Sequence, residues 1–199
     1  MTYHELWRRL VHTYDEGEAK AIARMVYEVR YGLTLSDLCI GKDTQLSAND
    51  QAELAKICQR LEQHEPVQYV LGQADFCGRT FLVNRHVLIP RPETQELCQW
   101  AVEALTADHC MTEGLSVLDI GTGSGCIAVT LAAALPTADV TAWDISPEAL
   151  AVAKANACRH RVRIHFEQVD VLNACPSARR FSLMVSNPPY ILNKERARM

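Results

Sequence analysis

Residues 116–126 read SVLDIGTGSGC, a short apolar run that ends in an acidic residue and three closely spaced glycines. An apolar run of this length predicts a buried strand. The glycines let the chain turn tightly, because no Cβ intrudes. The alanine-rich residues 126–135 that follow predict a helix whose positive N-terminus faces the loop. The segment therefore predicts the first strand, loop and helix of an α/β domain with a nucleotide-sized ligand at the loop.

The rest of the C-terminal half alternates between strand and helix patterns. The expected strands are 116–120, 140–144, 162–169 and 181–186, and the expected helices are 93–105, 126–135 and 146–157. The first of these helices is expected to bury Leu97, Trp100, Ala101 and Leu105. Such alternation predicts a parallel sheet with right-handed crossovers. Its ligands should bind beyond the carboxyl ends of the strands, where the strand order reverses.

Four polar residues stand at those strand ends, namely Asp119, Asp144, Asp170 and Asn187. Asp119 can orient the glycine loop or hold an ammonium group. A carboxylate at the end of the second strand, Asp144, can accept both hydroxyls of a ribose. Asp170 is placed to accept from an adenine amino group, and Val171 beside it can form an apolar wall. We expect the four polar residues to converge on one crevice.

The glycine loop alone leaves two cofactors open. A dinucleotide site asks for G-x-G-x-x-G, and here Cys126 stands where the third glycine or alanine would be. An acidic residue directly before the loop is more typical of an S-adenosylmethionine site. The predicted cofactor-binding residues are Asp119, Gly121, Thr122, Gly123, Ser124, Gly125, Asp144, Asp170, Val171 and Asn187.

The segment Asn187-Pro188-Pro189-Tyr190 predicts a site for a planar amino or amide nitrogen, which would accept a methyl group from such a cofactor. The lone pair of an amide nitrogen is delocalised, so its methylation requires the nitrogen to pyramidalise. The Asn187 side-chain oxygen and the Pro188 carbonyl can each accept one N–H of the target. The prolines stiffen the loop, and Tyr190 can stack on the flat target group. We therefore predict Asn187, Pro188 and Tyr190 as catalytic residues.

The chain divides into segments of different pattern. Apolar residues recur at helical spacing from Tyr3 to Leu61, so residues 1–65 are expected to form a helical domain. Short apolar runs between turn residues make residues 66–90 a predicted β-hairpin linker. Residues 91–199 hold the α/β pattern and form the second predicted domain.

Composition argues against several classes of protein. With 48% apolar and 22% charged residues and a formal net charge of -4, the chain offers no general basic field for nucleic acid. No stretch reaches the ~20 apolar residues of a membrane span. The eight cysteines include no C-x-x-C pair, and the seven histidines form no metal-ligand pattern. We expect reduced, buried thiols, no metal site and a cytoplasmic location.

Four segments together resemble one known family. They are EPVQYVLG at 65–72, VLIPRPET at 87–94, DIGTGSG at 119–125 and NPPY at 187–190. In these segments the chain is similar to the HemK/PrmC protein-glutamine N5-methyltransferases, and the likeness covers essentially its whole length. The resemblance implies a Rossmann-like class I S-adenosylmethionine-dependent methyltransferase domain preceded by a small helical domain.

The resemblance also implies a reaction and a partner. The reaction is methylation of the glutamine in the Gly-Gly-Gln motif of class-I peptide-chain release factors, with the helical domain helping to bind that protein. By the same resemblance, the glycine loop, Asp144 and the corner at 170–171 bind the cofactor. Residues 187–190, including Pro189, bind the glutamine, and Leu88 lies near its pocket.

Three other functions stay open from the sequence. They are methylation of a glutamine in a ribosomal protein, adenine-N6 methylation of DNA, since N-P-P-Y can hold an exocyclic amine, and cofactor binding without catalysis. Family members continue with further strands and helices after the N-P-P-Y loop, whereas this sequence stops at Met199. We therefore expect the chain to be a fragment of a longer enzyme.

Overall fold

The computed structural model describes residues 1–106, 114–173 and 179–188. The chain divides into two units, Met1–Gly72 and Gln73–Met199. Each unit has its own cluster of buried apolar side chains.

The first unit is entirely helical in its regular structure. Its elements are α1 (Tyr3–Leu10), α2 (Glu16–Tyr31), α3 (Leu35–Cys39), a 3₁₀ turn (Lys42–Gln45), α4 (Ala48–Glu62) and α5 (Val67–Leu71). Capping boxes begin three of these helices, at Thr2, Thr34 and Ser47. These boxes satisfy N–H groups that a helix start leaves unpaired. The core includes Leu6, Leu10, Ile22, Val26, Tyr27, Leu54 and Leu61.

The boundary of this unit differs from the predicted one at residue 65. The predicted hairpin linker begins at residue 66, but α5 occupies part of it and belongs to the helical unit. The guanidinium of Arg60 on α4 explains this, because it donates to the carbonyls of Val70 at 3.2 Å and Tyr69 at 3.3 Å. Val70 and Leu71 are also buried in the helical core.

The second unit begins with a β-hairpin and continues as an alternating α/β fold. Its elements are β1 (Gln73–Phe76), β2 (Arg79–Leu82), α6 (Pro92–Thr106), β3 (Ser116–Ile120), α7 (Cys126–Ala134), β4 (Asp139–Asp144), α8 (Pro147–Arg159), β5 (His165–Gln168) and β6 (Leu183–Ser186). The hairpin strands pair antiparallel, and their Phe76 and Phe81 pack into the α/β core.

The four strands after the hairpin form one parallel sheet in the order β5-β4-β3-β6. The chain runs outward from β3 to β5 and then returns to the other side of β3. The strand order therefore reverses between β3 and β6, which is the switch point at which α/β sheets bind ligands. The predicted Rossmann-like α/β fold class is confirmed.

One predicted core residue is on the surface. Trp100 of α6 is 62% exposed, although the sequence pattern put it on the buried side. The helix instead buries Thr94, Cys98 and Ala101. A turn of about 100° per residue carries Trp100, two positions beyond Cys98, to the opposite face.

Two further expectations bear on the environment of the chain. No helix within residues 1–106, 114–173 and 179–188 is long and apolar enough to cross a membrane. The cysteines in these ranges are free thiols, but Cys39 and Cys158 are exposed rather than buried as expected. They lie at the C-terminal ends of α3 and α8, where the helices leave their cores.

Replacing Gly125 by alanine tests the packing between the loop and α8. Gly125 has φ +78°, and an added Cβ would lie 3.0 Å from the Cβ of Ala153. We expect Gly125→Ala to lower the free energy of unfolding by about 2 kcal/mol or more. The matched control is Gly78→Ala, with φ +68° and open space around its Cβ, which should cost only about 1 kcal/mol. Urea denaturation measures both, and equal losses would contradict the packing argument.

Candidate functional site

The register of the sheet brings two predicted segments together. Ile120 at the end of β3 pairs with Ser186 at the end of β6, and the Ser186 hydroxyl donates to the Ile120 carbonyl at 2.8 Å. Gly121 and Asn187 are the next residues of the two strands. Neighbouring strands lie about 4.8 Å apart, so the glycine loop and Asn187 begin side by side at the switch point.

The glycine loop is closed by its own hydrogen bonds. Gly121, Gly123 and Gly125 have φ values of +72°, +54° and +78°, which favour glycine. Four loop N–H groups donate to nearby acceptors: Gly121 and Thr122 to the Trp143 carbonyl, Gly123 to Asp144 Oδ2, and Gly125 to the Thr122 carbonyl, all at 2.8–2.9 Å. These donors are not available to cradle a pyrophosphate, which argues against a dinucleotide.

Asp119 lies inside the domain rather than facing the crevice. It is fully buried, and its Oδ2 accepts from the Thr122 hydroxyl at 2.6 Å and from the Ala128 N–H at 3.2 Å. Its Oδ1 has no hydrogen-bond partner among the described residues. Burial raises the pKa of this carboxyl to about 6, against the lowering effect of the two hydrogen bonds. Of its two predicted roles, this geometry favours orientation of the loop.

Asp144 ends β4 directly beside the glycine loop. Its Oδ2 accepts from the Gly123 N–H at 2.8 Å and its Oδ1 from the Ser146 N–H at 3.0 Å. Each carboxylate oxygen can accept more than one hydrogen bond, so capacity for two hydroxyls remains. A Cβ at Gly121 would meet nothing within 4 Å, and one at Gly123 only a carbonyl at 4.0 Å. This open space beside an acidic group fits a nucleoside cofactor that carries positive charge.

Asp170 is used by its own turn. Its Oδ1 accepts from the Leu172 N–H at 3.1 Å and its Oδ2 from the Asn173 amide at 2.7 Å. These bonds hold the turn that follows β5 and keep Val171 on the surface. Lone pairs remain on the carboxylate for an adenine amino group.

Sequence reasoning missed one apolar residue at the same edge of the sheet. Ile145, directly after Asp144, is 61% exposed, and the Gln168 amide of β5 donates to its carbonyl at 3.0 Å. Together with Val171 it offers an apolar surface at the ends of β4 and β5, which is suited to a flat ring. The sequence feature that could have identified Ile145 is its position as a large apolar residue directly after Asp144, the acidic residue that ends β4.

The acceptor segment is partly described. Asn187 is half-buried, and its side-chain NH₂ group donates to the hydroxyl of Thr94 on α6 at 2.7 Å. Pro188 is exposed, whereas Pro189 and Tyr190 lie outside the described residues. Leu88 is also exposed, six positions before Thr94 in the chain.

A buried amide on α8 supports the loop from behind, and sequence reasoning did not single it out. Asn156 is completely buried, and its NH₂ group donates to the Ser124 carbonyl at 2.8 Å and the Leu82 carbonyl at 2.9 Å. Its Oδ1 accepts from the Leu82 N–H at 2.7 Å. One side chain thus joins the glycine loop, the hairpin and α8. The hydroxyl of Ser124 is itself buried without a partner among the described residues.

The described residues of the site include no metal-ligand cluster and no activated thiol. Within the described part of the chain there is no cluster of three or more His, Cys, Asp or Glu residues that could hold a metal ion. Cys126 follows the loop directly, but burial raises its pKa to about 12. A thiol with this pKa is protonated near neutral pH and is a poor nucleophile.

Two family descriptions match the chain in succession. The PrmC N-terminal domain matches residues 5–72 and the methyltransferase small domain matches residues 100–198. The chain is 43% identical to the release factor glutamine methyltransferase of Bacteroides thetaiotaomicron over 94% of its own length and 65% of that protein. It is 44% identical to the protein of that name from Bacillus subtilis, over 73% of the chain and 52% of the relative. The chain therefore spans less than two thirds of these relatives.

Solved structures show a more distant likeness. One is the 16S rRNA N2 G1207 methyltransferase of T. thermophilus, in complex with AdoMet and guanosine. It is 21% identical to the chain and covers 61% of it, while the chain covers 33% of that structure, with a TM-score of 0.48.

Changing Asn156 to aspartate tests whether the buried amide holds the loop. The substitution keeps the shape but sets a carboxylate against two carbonyls, so we expect a loss of about 2–4 kcal/mol in the free energy of unfolding. The control is Asn49→Asp at an exposed position of α4, which should change stability little. Urea denaturation at pH 7 measures the free energy of unfolding of both variants. A loss below 1 kcal/mol for the buried variant would contradict the role given to Asn156.

Changing Asp119 to asparagine tests the buried charge. The folded protein holds the Asp119 proton more tightly than the unfolded chain does, because burial raises this pKa from 3.8 to about 6. The wild type therefore loses stability as the pH rises through about 4 to 6. The amide keeps an acceptor for Thr122 and Ala128 without the charge. We expect Asp119→Asn to melt higher than the wild type at pH 8 and this advantage to shrink by pH 4.5. An advantage independent of pH would contradict the assignment.

Proposed function

The chain belongs to the HemK/PrmC family of protein-glutamine methyltransferases, and from this premise we propose that the whole protein methylates N5 of a glutamine. The family depends on S-adenosylmethionine. The proposed substrate is the glutamine of the Gly-Gly-Gln motif in class-I peptide-chain release factors, as the names of the relatives suggest.

One observation carries this proposal, namely the register at the switch point. Gly121 follows β3 and Asn187 follows β6, and the two strands are paired to their last residues. A donor held at the loop and an acceptor held at Asn187 would therefore meet between two adjacent strand ends. Direct transfer of a group needs reacting atoms roughly 3–3.5 Å apart, and two rigid neighbouring anchors favour such an approach.

The residues proposed to hold the donor provide charge and shape. Asp144 would accept the ribose hydroxyls, while Ile145, Val171 and Asp170 would surround the adenine. The glycines leave space for the rest of the molecule. When bound, S-adenosylmethionine supplies a methyl group on a positively charged sulfur. The nearby carboxylates suit a ligand with that charge.

Asn187 and Pro188 are proposed to position the acceptor. The side-chain oxygen of Asn187 and the carbonyl of Pro188 would each accept one N–H of the glutamine amide. This fixes both hydrogens and aims the nitrogen lone pair at the methyl group. The nitrogen gains the methyl, the C–S bond electrons stay on sulfur, and the amide then loses one proton. Tyr190 is proposed to stack on the amide, and Leu88 to line its pocket.

The helical unit is proposed to recognise the protein substrate. Residues 5–72 match the PrmC N-terminal domain, and this unit has a core separate from that of the α/β unit. A protein that modifies release factors would act where translation takes place, so we propose a cytoplasmic location. Neither a membrane nor nucleic acid is a proposed partner, and the net charge of -4 agrees with the latter.

The proposed activity is tested by intact-protein mass spectrometry. A class-I release factor is incubated with S-adenosylmethionine and either this chain or a hybrid in which the remaining third of the Bacteroides thetaiotaomicron relative follows residue 199. We expect one methyl group on the release factor, absent when the glutamine of its Gly-Gly-Gln motif is changed to alanine. Methylation of ribosomal protein or DNA instead, or of no substrate by the hybrid, contradicts the proposed substrate.

Asn187→Ala tests the acceptor site in the same assay. Loss of one of two acceptors leaves the amide free to turn, so we expect kcat to fall about 100-fold. Cofactor affinity, measured by calorimetry, should fall far less. Gln99→Ala, at an exposed position of α6 in the α/β unit, is the control and should keep wild-type kcat. A kcat within threefold of wild type for Asn187→Ala would remove this residue from the proposed site.

A further inference from the structure

The amide of Asn187 is held by a residue from a distant part of the chain. Its Nδ2 donates to Oγ1 of Thr94 at 2.7 Å, across 93 positions in sequence. Thr94 lies in the first turn of α6 and is only 5% exposed. Its own N–H donates to the Arg91 carbonyl at 3.1 Å, which fixes the backbone at this point. The hydroxyl is therefore presented from a buried and anchored position.

The orientation of an asparagine amide decides what it offers a ligand. The carboxamide is planar, with two N–H donors on one side and the carbonyl oxygen on the other. When the NH₂ group is bound to Thr94, the oxygen points in a defined direction away from that hydroxyl. A rotation of half a turn would instead present N–H groups to the ligand. A glutamine amide that must donate its own N–H groups would then meet donors rather than an acceptor.

We propose that Thr94 is a positioning residue, which sets the carboxamide of Asn187 with its oxygen towards the substrate amide. This inference rests on the proposed function, and it adds a residue that itself touches neither substrate nor cofactor. Partial burial strengthens the bond, because water competes less for the two groups. A threonine hydroxyl can both donate and accept, so Thr94 fixes the place of the carboxamide, and the Nδ2–Oγ1 bond seen here gives the direction of its oxygen.

Three variants separate this role from a purely structural one. Thr94→Val keeps the shape and removes the hydroxyl, whereas Thr94→Ser keeps the hydroxyl. Thr106→Val on the same helix is the matched control, because among the described residues the Thr106 hydroxyl bonds to carbonyls of α6, those of Val102 and Glu103. With the release factor as substrate, we expect kcat to fall about tenfold in Thr94→Val. Thr94→Ser and Thr106→Val should stay near wild type, and cofactor affinity should be unchanged in all three.

A second measurement does not depend on turnover. The chain contains six asparagines, so labelling their side-chain amides with ¹⁵N gives a simple NMR spectrum, and Asn187→Asp identifies the Asn187 signal. In the wild type we expect the Asn187 NH₂ protons to exchange with water more slowly than those of exposed Asn49. This protection should be lost in Thr94→Val and kept in Thr94→Ser.

The outcomes separate the inference from the function on which it rests. A wild-type enzyme that methylates no glutamine, with a protected Asn187 amide that Thr94→Val exposes, overturns the proposed function and leaves the Thr94 contact supported. A wild-type Asn187 amide that exchanges as fast as that of Asn49 overturns the inference, whether or not the valine variant folds. The inference also fails if Thr94→Ser loses as much kcat as Thr94→Val, or if Thr94→Val keeps wild-type kcat.

Discussion

The α/β unit depends on one buried amide. Asn156 makes three hydrogen bonds, two to the backbone of Leu82 in the hairpin and one to the Ser124 carbonyl in the glycine loop. These partners are 74 and 32 positions away in sequence. Such a fully bonded polar group specifies one arrangement of its neighbours, because every alternative leaves a buried donor or acceptor unpaired. The hairpin is therefore part of the site's support rather than a simple connection between domains.

Hydrogen bonds from other elements also hold the two ends of the candidate site. The loop after β3 is held by the end of β4 and by Asp119 beneath it, and Asn187 after β6 is held by Thr94 of α6. The two residues that hold the loop and Asn187 from within, Asp119 and Thr94, are both buried. Positioning of this kind matters for the proposed direct transfer of a methyl group, since its rate depends on the approach of two bound groups.

The sequence predicted a parallel sheet and the carboxyl ends of its strands, because both follow from the alternation of apolar runs and from general rules of parallel sheets. It also predicted that Asp144 and Asn187 would stand at those ends. It did not predict Asn156, which looks like an ordinary polar residue in an alanine-rich helix, since its partners come from other elements. The burial of Asp119 and exposure of Trp100 were missed for a related reason. Periodicity shows that a helix has an apolar face, but neighbouring elements decide which residues occupy it.

The closed glycine loop has a consequence for turnover. A loop that is ordered before the cofactor arrives costs little entropy on binding, and it gains little on release. The groups proposed to hold ribose and adenine would contact parts of the cofactor that methyl transfer does not alter. Such contacts hold donor and demethylated product equally well and so do not favour the forward step. Under the proposed function, an enzyme built in this way would be subject to product inhibition, and its rate would follow the ratio of S-adenosylmethionine to S-adenosylhomocysteine.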